Sequence, residues 1–134
     1  MDNRYNRHKS RKYSLKVHIV LVTKYRKQLL KDYIADDVKQ KIFDIANTRG
    51  YEIIAIETDK DHIHFLLSYD TTDQVCDIVK IIKQETTYHL WQKYGSVLSK
   101  QYWKEKIFWS DGYFACSIRE VSSATKQKYI ESQG

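Results

Sequence analysis

The residues best equipped for chemistry in this chain are His62 and His64, in the run Asp59-Lys60-Asp61-His62-Ile63-His64-Phe65-Leu66-Leu67. In an extended strand, side chains at i and i+2 share a face, so the two imidazoles point one way while Ile63, Phe65 and Leu67 point the other. Two imidazoles at that separation suit one divalent ion and leave positions for water, phosphate or another side chain. Asp61 is placed to accept from His62 and orient its ring, or to serve simply as a turn residue. The plain alternative is two histidines on a solvated strand face. Of the remaining histidines, His18 falls in a strand, His89 on a helix and His8 in a basic arm, and each reads as structural or solvated. A third ligand must then come from a distant part of the chain or from a second subunit.

The second chemical candidate lies near the C-terminus, in Lys128-Tyr129-Ile130-Glu131-Ser132-Gln133. Tyr129 and Gln133 are four residues apart and share a helix face. A phenol is a legitimate nucleophile, though its pKa near 10 makes it feeble at neutral pH without help. A metal ion polarising a phosphate would supply such help. Equally, Tyr129 is one of 11 tyrosines and could be structural.

Behind these residues the chain reads as one domain, 1–134, in the order β-α-β-β-α-β-α. Residues 1–12 form a basic arm, expected to be flexible. Ser14 to Thr23 is apolar and β-branched, as in a central strand. Ile34, Val38, Ile42, Ile45 and Ala46 recur at helical spacing, with Gly50 as C-cap. Tyr51–Thr58 and His62–Ser68 make a hairpin around the turn Asp59–Asp61. A long helix starts near Thr72 or Asp73, buries Val75, Ile78, Val79, Ile82 and Leu90, and ends around Gly95. Residues 96–106 are aperiodic, with Tyr102 and Trp103 as anchors. Ile107 to Ile118 gives one or two short strands. Ser122 and Ser123 can cap a last helix, 122–134, poor in apolar residues: only Ala124, Tyr129 and Ile130. Such a helix tends to dock on a partner or serve a site. The expected fold is α+β, a ferredoxin-like (RRM-like) antiparallel sheet with helices on one face plus this C-terminal helix.

The net charge of +6 is unevenly placed. Arg4, Arg7, Lys9, Arg11 and Lys12 crowd the arm, and Lys24, Arg26 and Lys27 follow the first strand. Basic side chains attract phosphate and aromatic faces stack on unpaired bases, so a nucleic-acid partner is implied. No run approaches the roughly 18 apolar residues of a membrane span, and the N-terminus lacks a secretory pattern. Cys76 and Cys116 lack metal-type spacing and read as reduced, buried thiols of a cytoplasmic protein.

Taken together, these motifs resemble the HUH-type single-tyrosine transposases (TnpA) of the smallest bacterial and archaeal insertion sequences. His62-Ile63-His64 is similar to the family's histidine–hydrophobic–histidine motif. Lys16-Val17-His18-Ile19-Val20 with Thr23-Lys24-Tyr25-Arg26 resembles its first strand and basic end. Gly112-Tyr113-Phe114 is similar to the strand before the catalytic helix, and Lys128 to Gln133 to the nucleophile motif. The likeness spans about residues 13–133. It implies that Tyr129 attacks a DNA phosphodiester, leaving a 5′-phosphotyrosine and a free 3′-hydroxyl. It implies that His62, His64 and Gln133 hold Mg²⁺ or Mn²⁺, with no nucleotide cofactor. It implies a homodimer whose active sites are shared between subunits, acting on single-stranded DNA with hairpin ends, and it makes the basic residues above phosphate contacts.

The likeness has one departure: the family often has glycine between the last strand and the catalytic helix, where this chain reads Ile118-Arg119-Glu120-Val121, which implies a stiffer hinge or one that uses other residues. Rival readings are a domesticated, repeat-associated tyrosine transposase, a non-catalytic single-strand-binding module with stacking tyrosines, and a metal-dependent hydrolytic nuclease.

Overall fold

Alternating side chains sort one sheet into two unlike faces. The computed structural model describes residues 15–103, 105–117 and 123–133, the side chains of 117 and 123–126 excepted. Its elements are β1 (Leu15–Val22), α1 (Asp32–Arg49), β2 (Glu52–Asp59), β3 (His62–Tyr69), α2 (Val75–Tyr102), β4 (Phe114–Ser117) and α3 (Ser123–Ser132). The strands form an antiparallel sheet in the order β2-β3-β1-β4, the expected α+β, ferredoxin-like arrangement. The basic arm, the glycine-free stretch 118–122 and both ends of the expected 122–134 helix lie outside the described residues.

One face carries Val17, Ile19 and Leu21 of β1 and Ile63, Phe65 and Leu67 of β3, all buried against α1 and α2. Their apolar partners include Val38, Ile42 and Ile45 on α1 and Ile78, Ile82, Leu90 and Leu98 on α2, spaced to form continuous helical stripes. On the opposite face Val20 and Val22 are covered by Ile130 of α3, with Phe114 and Tyr129 beside them.

α1 ends as expected at Gly50, whose φ of 82° is left-handed and whose N–H returns to the Ala46 carbonyl at 2.8 Å. β2 and β3 pair from Asp59↔His62 outward, leaving a two-residue turn. The register slips once, between Ile53↔Leu67 and Ala55↔Leu66, making Ile54 a bulge residue. That slip lets both Ile53 and Ile56, three apart, pack on the core.

α2 does not stop at Gly95. It bends at Tyr94, whose φ of −122° is non-helical, and continues to Tyr102. The bend lies where the Tyr94 hydroxyl donates to Asp37 of α1, and burial with that carboxylate pushes the phenol up to about 12. A glycine in a helix costs only about 1 kcal/mol relative to alanine, and burial of Leu98 and Tyr102 beyond it offsets that. Tyr102 is the anchor expected, its hydroxyl donating to the Lys24 carbonyl at 3.0 Å. Trp103 is not an anchor, being 83% exposed. Neither cysteine is buried as expected: Cys76 is exposed and Cys116 half-buried, because both fall off the core-facing stripe of their elements. No helix among the described residues is long and apolar enough to cross a membrane.

Candidate active site

β3 places His62 and His64 on the face opposite the core, as its alternation requires, opposite Val22 and Val20 of β1. Each ring's Nδ1 meets a carboxylate: His62 contacts Asp61 Oδ1 at 2.9 Å and His64 contacts Glu57 Oε1 at 3.4 Å. Metal-binding imidazoles are ordinarily held this way, with one nitrogen fixed by a carboxylate and the other presented to the ion. Asp61 is gripped from its other side by Arg26 Nε at 3.1 Å. Burial would raise the Asp61 carboxyl, but the hydrogen bonds with His62 and Arg26 outweigh it and hold the group below the usual carboxylate range. Asp61 is therefore an orienting acceptor as well as a turn residue, and Arg26 orients it in turn.

His18 stands on the same face. Its Nδ1 lies 2.8 Å from His64 Nε2, and the two rings stack with centroids 5.0 Å apart at 18°. Among the described residues no group of three or more His, Cys, Asp or Glu has the arrangement of a complete metal site.

α3 lies across this face and closes a cleft of about 330 Å³ over the histidines. The cleft is lined by His62, His64, Glu57, Asp59, Gln127 and Ile130, with Val20 and Thr58. Neither Tyr129 nor Gln133 is part of that lining. The Gln133 amide donates instead to Ser132 Oγ at 3.2 Å. The Tyr129 ring packs on Phe114, centroids 5.8 Å apart. Its hydroxyl is buried near Ser110 and Gly112, where a Cβ on Gly112 would sit 3.5 Å away. The two hydroxyls stand near one another, yet neither closes a full hydrogen bond among the described residues. Burial pushes the Tyr129 phenol up, the Ser110 hydroxyl pulling the other way. The niche itself is firmly held: Lys83 of α2 donates to the carbonyls of Ser110, Asp111 and Gly112 at 2.7, 3.1 and 3.2 Å.

The three basic residues beyond β1 have distinct surroundings. Lys24 pairs with Asp111 at 3.3 Å, Arg26 serves Asp61, and Lys27 borders a groove beside Trp103. Arg4, Arg7, Lys9, Arg11 and Lys12 fall outside the described residues.

One sheet face thus bears His62 and His64, and the helix that carries Tyr129 is laid across it. Residues 11–133 match the family model described as "Transposase IS200 like". The chain belongs to the IS200-like transposase family. This IS200-like transposase is 35% identical over 121 residues to the ISDra2 transposase TnpA of Deinococcus radiodurans, spanning 90% of this chain and 85% of that one. It is 27% identical over 125 residues to the transposase for insertion sequence element IS200 of Salmonella typhimurium, spanning 91% and 78%. Among solved structures it resembles a crystal structure of a Deinococcus radiodurans protein described as a transposase, with TM-score 0.82 and 32% identity over 90% of this chain and 92% of that. It shares its fold with a REP-associated tyrosine transposase bound to a REP hairpin, at TM-score 0.58 and 15% identity over 87% and 62%.

Sequence reasoning missed His18, Glu57 and Gln127 as neighbours of the histidine pair. The parity of β1 could have found His18, since Val17, Ile19 and Leu21 face the core and His18 must face away. Counting back from the hairpin turn could have found Glu57, since the pairing Asp59↔His62 sets it opposite His64 before the bulge at Ile54 is reached.

Proposed function

We propose that this IS200-like transposase cuts and rejoins single-stranded DNA through Tyr129, excising and inserting a small insertion sequence after recognising DNA hairpins. The observation that carries the reading is the pair of carboxylate-oriented imidazoles, His62 and His64, facing a helix that bears a tyrosine. In the reaction the phenol oxygen of Tyr129 attacks phosphorus. A bond forms from that oxygen to the 5′-phosphate, the bond from phosphorus to the 3′-oxygen breaks, and the 3′-oxygen gains a proton equal to the one the phenol loses. One phosphodiester replaces another, so no nucleotide cofactor is consumed, and rejoining is the same step reversed.

The donor set fits Mg²⁺ or Mn²⁺ held by His62, His64 and Gln133. Both Nδ1 atoms are committed to carboxylates, which leaves Nε2 of each ring as the donor. A bound divalent ion supplies Lewis acidity at the scissile phosphate. His18 must yield or share the Nε2 of His64 for that purpose.

Tyr129 and Gln133 reach the histidines only if α3 moves, either across its own sheet or from a second copy of the chain. Among the described side chains the helix meets this face through Ile130 and the Tyr129 ring, so exchange would uncover a small apolar area. This supports a homodimer in which each α3 completes the other subunit's site, as suits the joint processing of two DNA ends.

Covalent capture tests the reading. The protein, Mn²⁺ or Mg²⁺ and labelled single-stranded DNA carrying the flanks of its own gene are run on a denaturing gel. A slow band that needs the metal and is lost in Tyr129→Phe and His64→Ala is expected. Retention of DNA without any band would leave a binding module, and cleavage persisting in Tyr129→Phe would mean another nucleophile.

A further inference from the structure

Four non-glycine residues among those described have positive φ, and three of them meet in one place. Tyr25 (φ 61°) and Arg26 (φ 54°) lie in the 3-10 turn after β1, and Trp103 (φ 61°, ψ −125°) follows the last turn of α2. Left-handed backbone is costly for residues with a Cβ, on the order of 1 kcal/mol or more each, and persists where surroundings or function demand it. Packing does not reward it here. The Tyr25 and Trp103 side chains emerge 63% and 83% exposed, burying little apolar surface in return.

Between them runs a groove of about 500 Å³ bordered by Tyr25, Trp103, Tyr102, Lys27, Gln101 and Glu105. Its base is rigid. Tyr102 is buried, its hydroxyl donates to the Lys24 carbonyl at 3.0 Å, and its ring lies 6.4 Å from that of Tyr25. Lys27 shares the groove wall with Glu105, and Lys24 Nζ, 5.4 Å from the Tyr25 ring centroid, is paired with Asp111 at 3.3 Å, an exposed carboxylate it can leave for a phosphate. Two presented aromatic faces beside lysines on a stiff base match an unpaired nucleobase with its phosphate. The turn is also tied to the histidines through Arg26, Asp61 and His62.

We propose that the Tyr25–Trp103 groove is a stacking subsite for one unpaired base of the DNA strand, with Lys27 and Lys24 at the adjoining phosphates. The site is separate from the histidine cleft and takes any base, because stacking needs a π-face and not a particular hydrogen-bonding edge. It rests on the DNA-processing reading above, and it adds that the strand is gripped by a base beyond the basic end of β1.

The test uses the full chain and an oligothymidine of roughly 20 nucleotides, with and without 5-iodouracil at scattered positions. Irradiation of the iodinated strand should give adducts that mass spectrometry places on Trp103 or Tyr25. Trp103→Gly should weaken binding about fivefold to a hundredfold, the range for loss of one stacked base. Trp103→Phe, which keeps a ring, should stay within a few-fold of wild type. Because glycine accepts positive φ, Trp103→Gly should fold with an unchanged or higher Tm, so loss of binding cannot be blamed on unfolding. DNA binding unchanged in Trp103→Gly, with adducts elsewhere, would overturn the subsite and leave the DNA reading standing. No binding of this strand by the wild-type chain would overturn the subsite, while the covalent-capture assay decides the DNA reading separately. A dimer that becomes a monomer in Trp103→Gly would show that the groove receives a second copy of the chain, and would overturn the proposal.

Discussion

The two faces of this sheet are built from alternate residues of the same strands, yet they are fastened quite differently. On the core face Ile63, Phe65 and Leu67 have no exposed surface, and two helices of 18 and 28 residues cover them. On the other face one 10-residue helix rests on Val20 and Val22 through Ile130. The first face sets where the histidines stand. The second meets its covering helix, among the described side chains, through Ile130 and the Tyr129 ring alone. Stability and chemistry are thus separated by the thickness of a strand, and substitutions on the two faces should fail in different ways.

The sharpest separation is expected at Tyr129. Tyr129→Phe should abolish the covalent DNA adduct while leaving Tm equal or slightly raised, since a buried hydroxyl that closes no full hydrogen bond among the described residues contributes no stability. A large drop in Tm would show that the site face is structural after all. Phe65→Ala, on the core face, should cost about 3–5 kcal/mol in denaturant unfolding. Asp61→Asn should weaken Mn²⁺ binding about tenfold to a hundredfold by calorimetry or electron paramagnetic resonance, because it frees the His62 ring. Ile130→Ala should change global unfolding by less than about 1 kcal/mol while speeding amide exchange in α3, as expected of a locally opening unit. Equal protection of α3 in both proteins would erase the contrast between the faces. The smallest effect is in pH. The folded state holds Asp61 below its ordinary value, so its contribution is in place above about pH 4 and is lost as pH falls further. Asp61→Asn should flatten that acid limb of the stability curve.

Element types and the orientation of the histidine pair were legible because both follow from local periodicity. Alternation in β3 needs no knowledge of neighbours to put His62 and His64 on one face. His18 was not recognised because its meaning depends on which strand lies alongside, and pairing register is a non-local property. Gly95 misled for a different reason. A helix stops where nothing beyond is worth burying, and here Leu98 and Tyr102 lie in wait one and two turns on. Trp103 was taken as an anchor on hydrophobicity alone, although Tyr102 next to it occupies the buried position. The roles of Tyr129 and Gln133 were suggested by family likeness, and this single chain leaves both outside the histidine cleft.

The bulge at Ile54 gives the hairpin an unequal tolerance of length change. Ile54 is surplus to the pairing, so excising it would leave Ile53 opposite Leu67 and Glu57 opposite His64, as they already stand. Excising Thr58 instead would carry Glu57 one step toward the turn and invert every residue before it. The gene can therefore lose a codon at the bulge and keep its histidine site in frame, whereas the same loss four codons later would turn a carboxylate into the core.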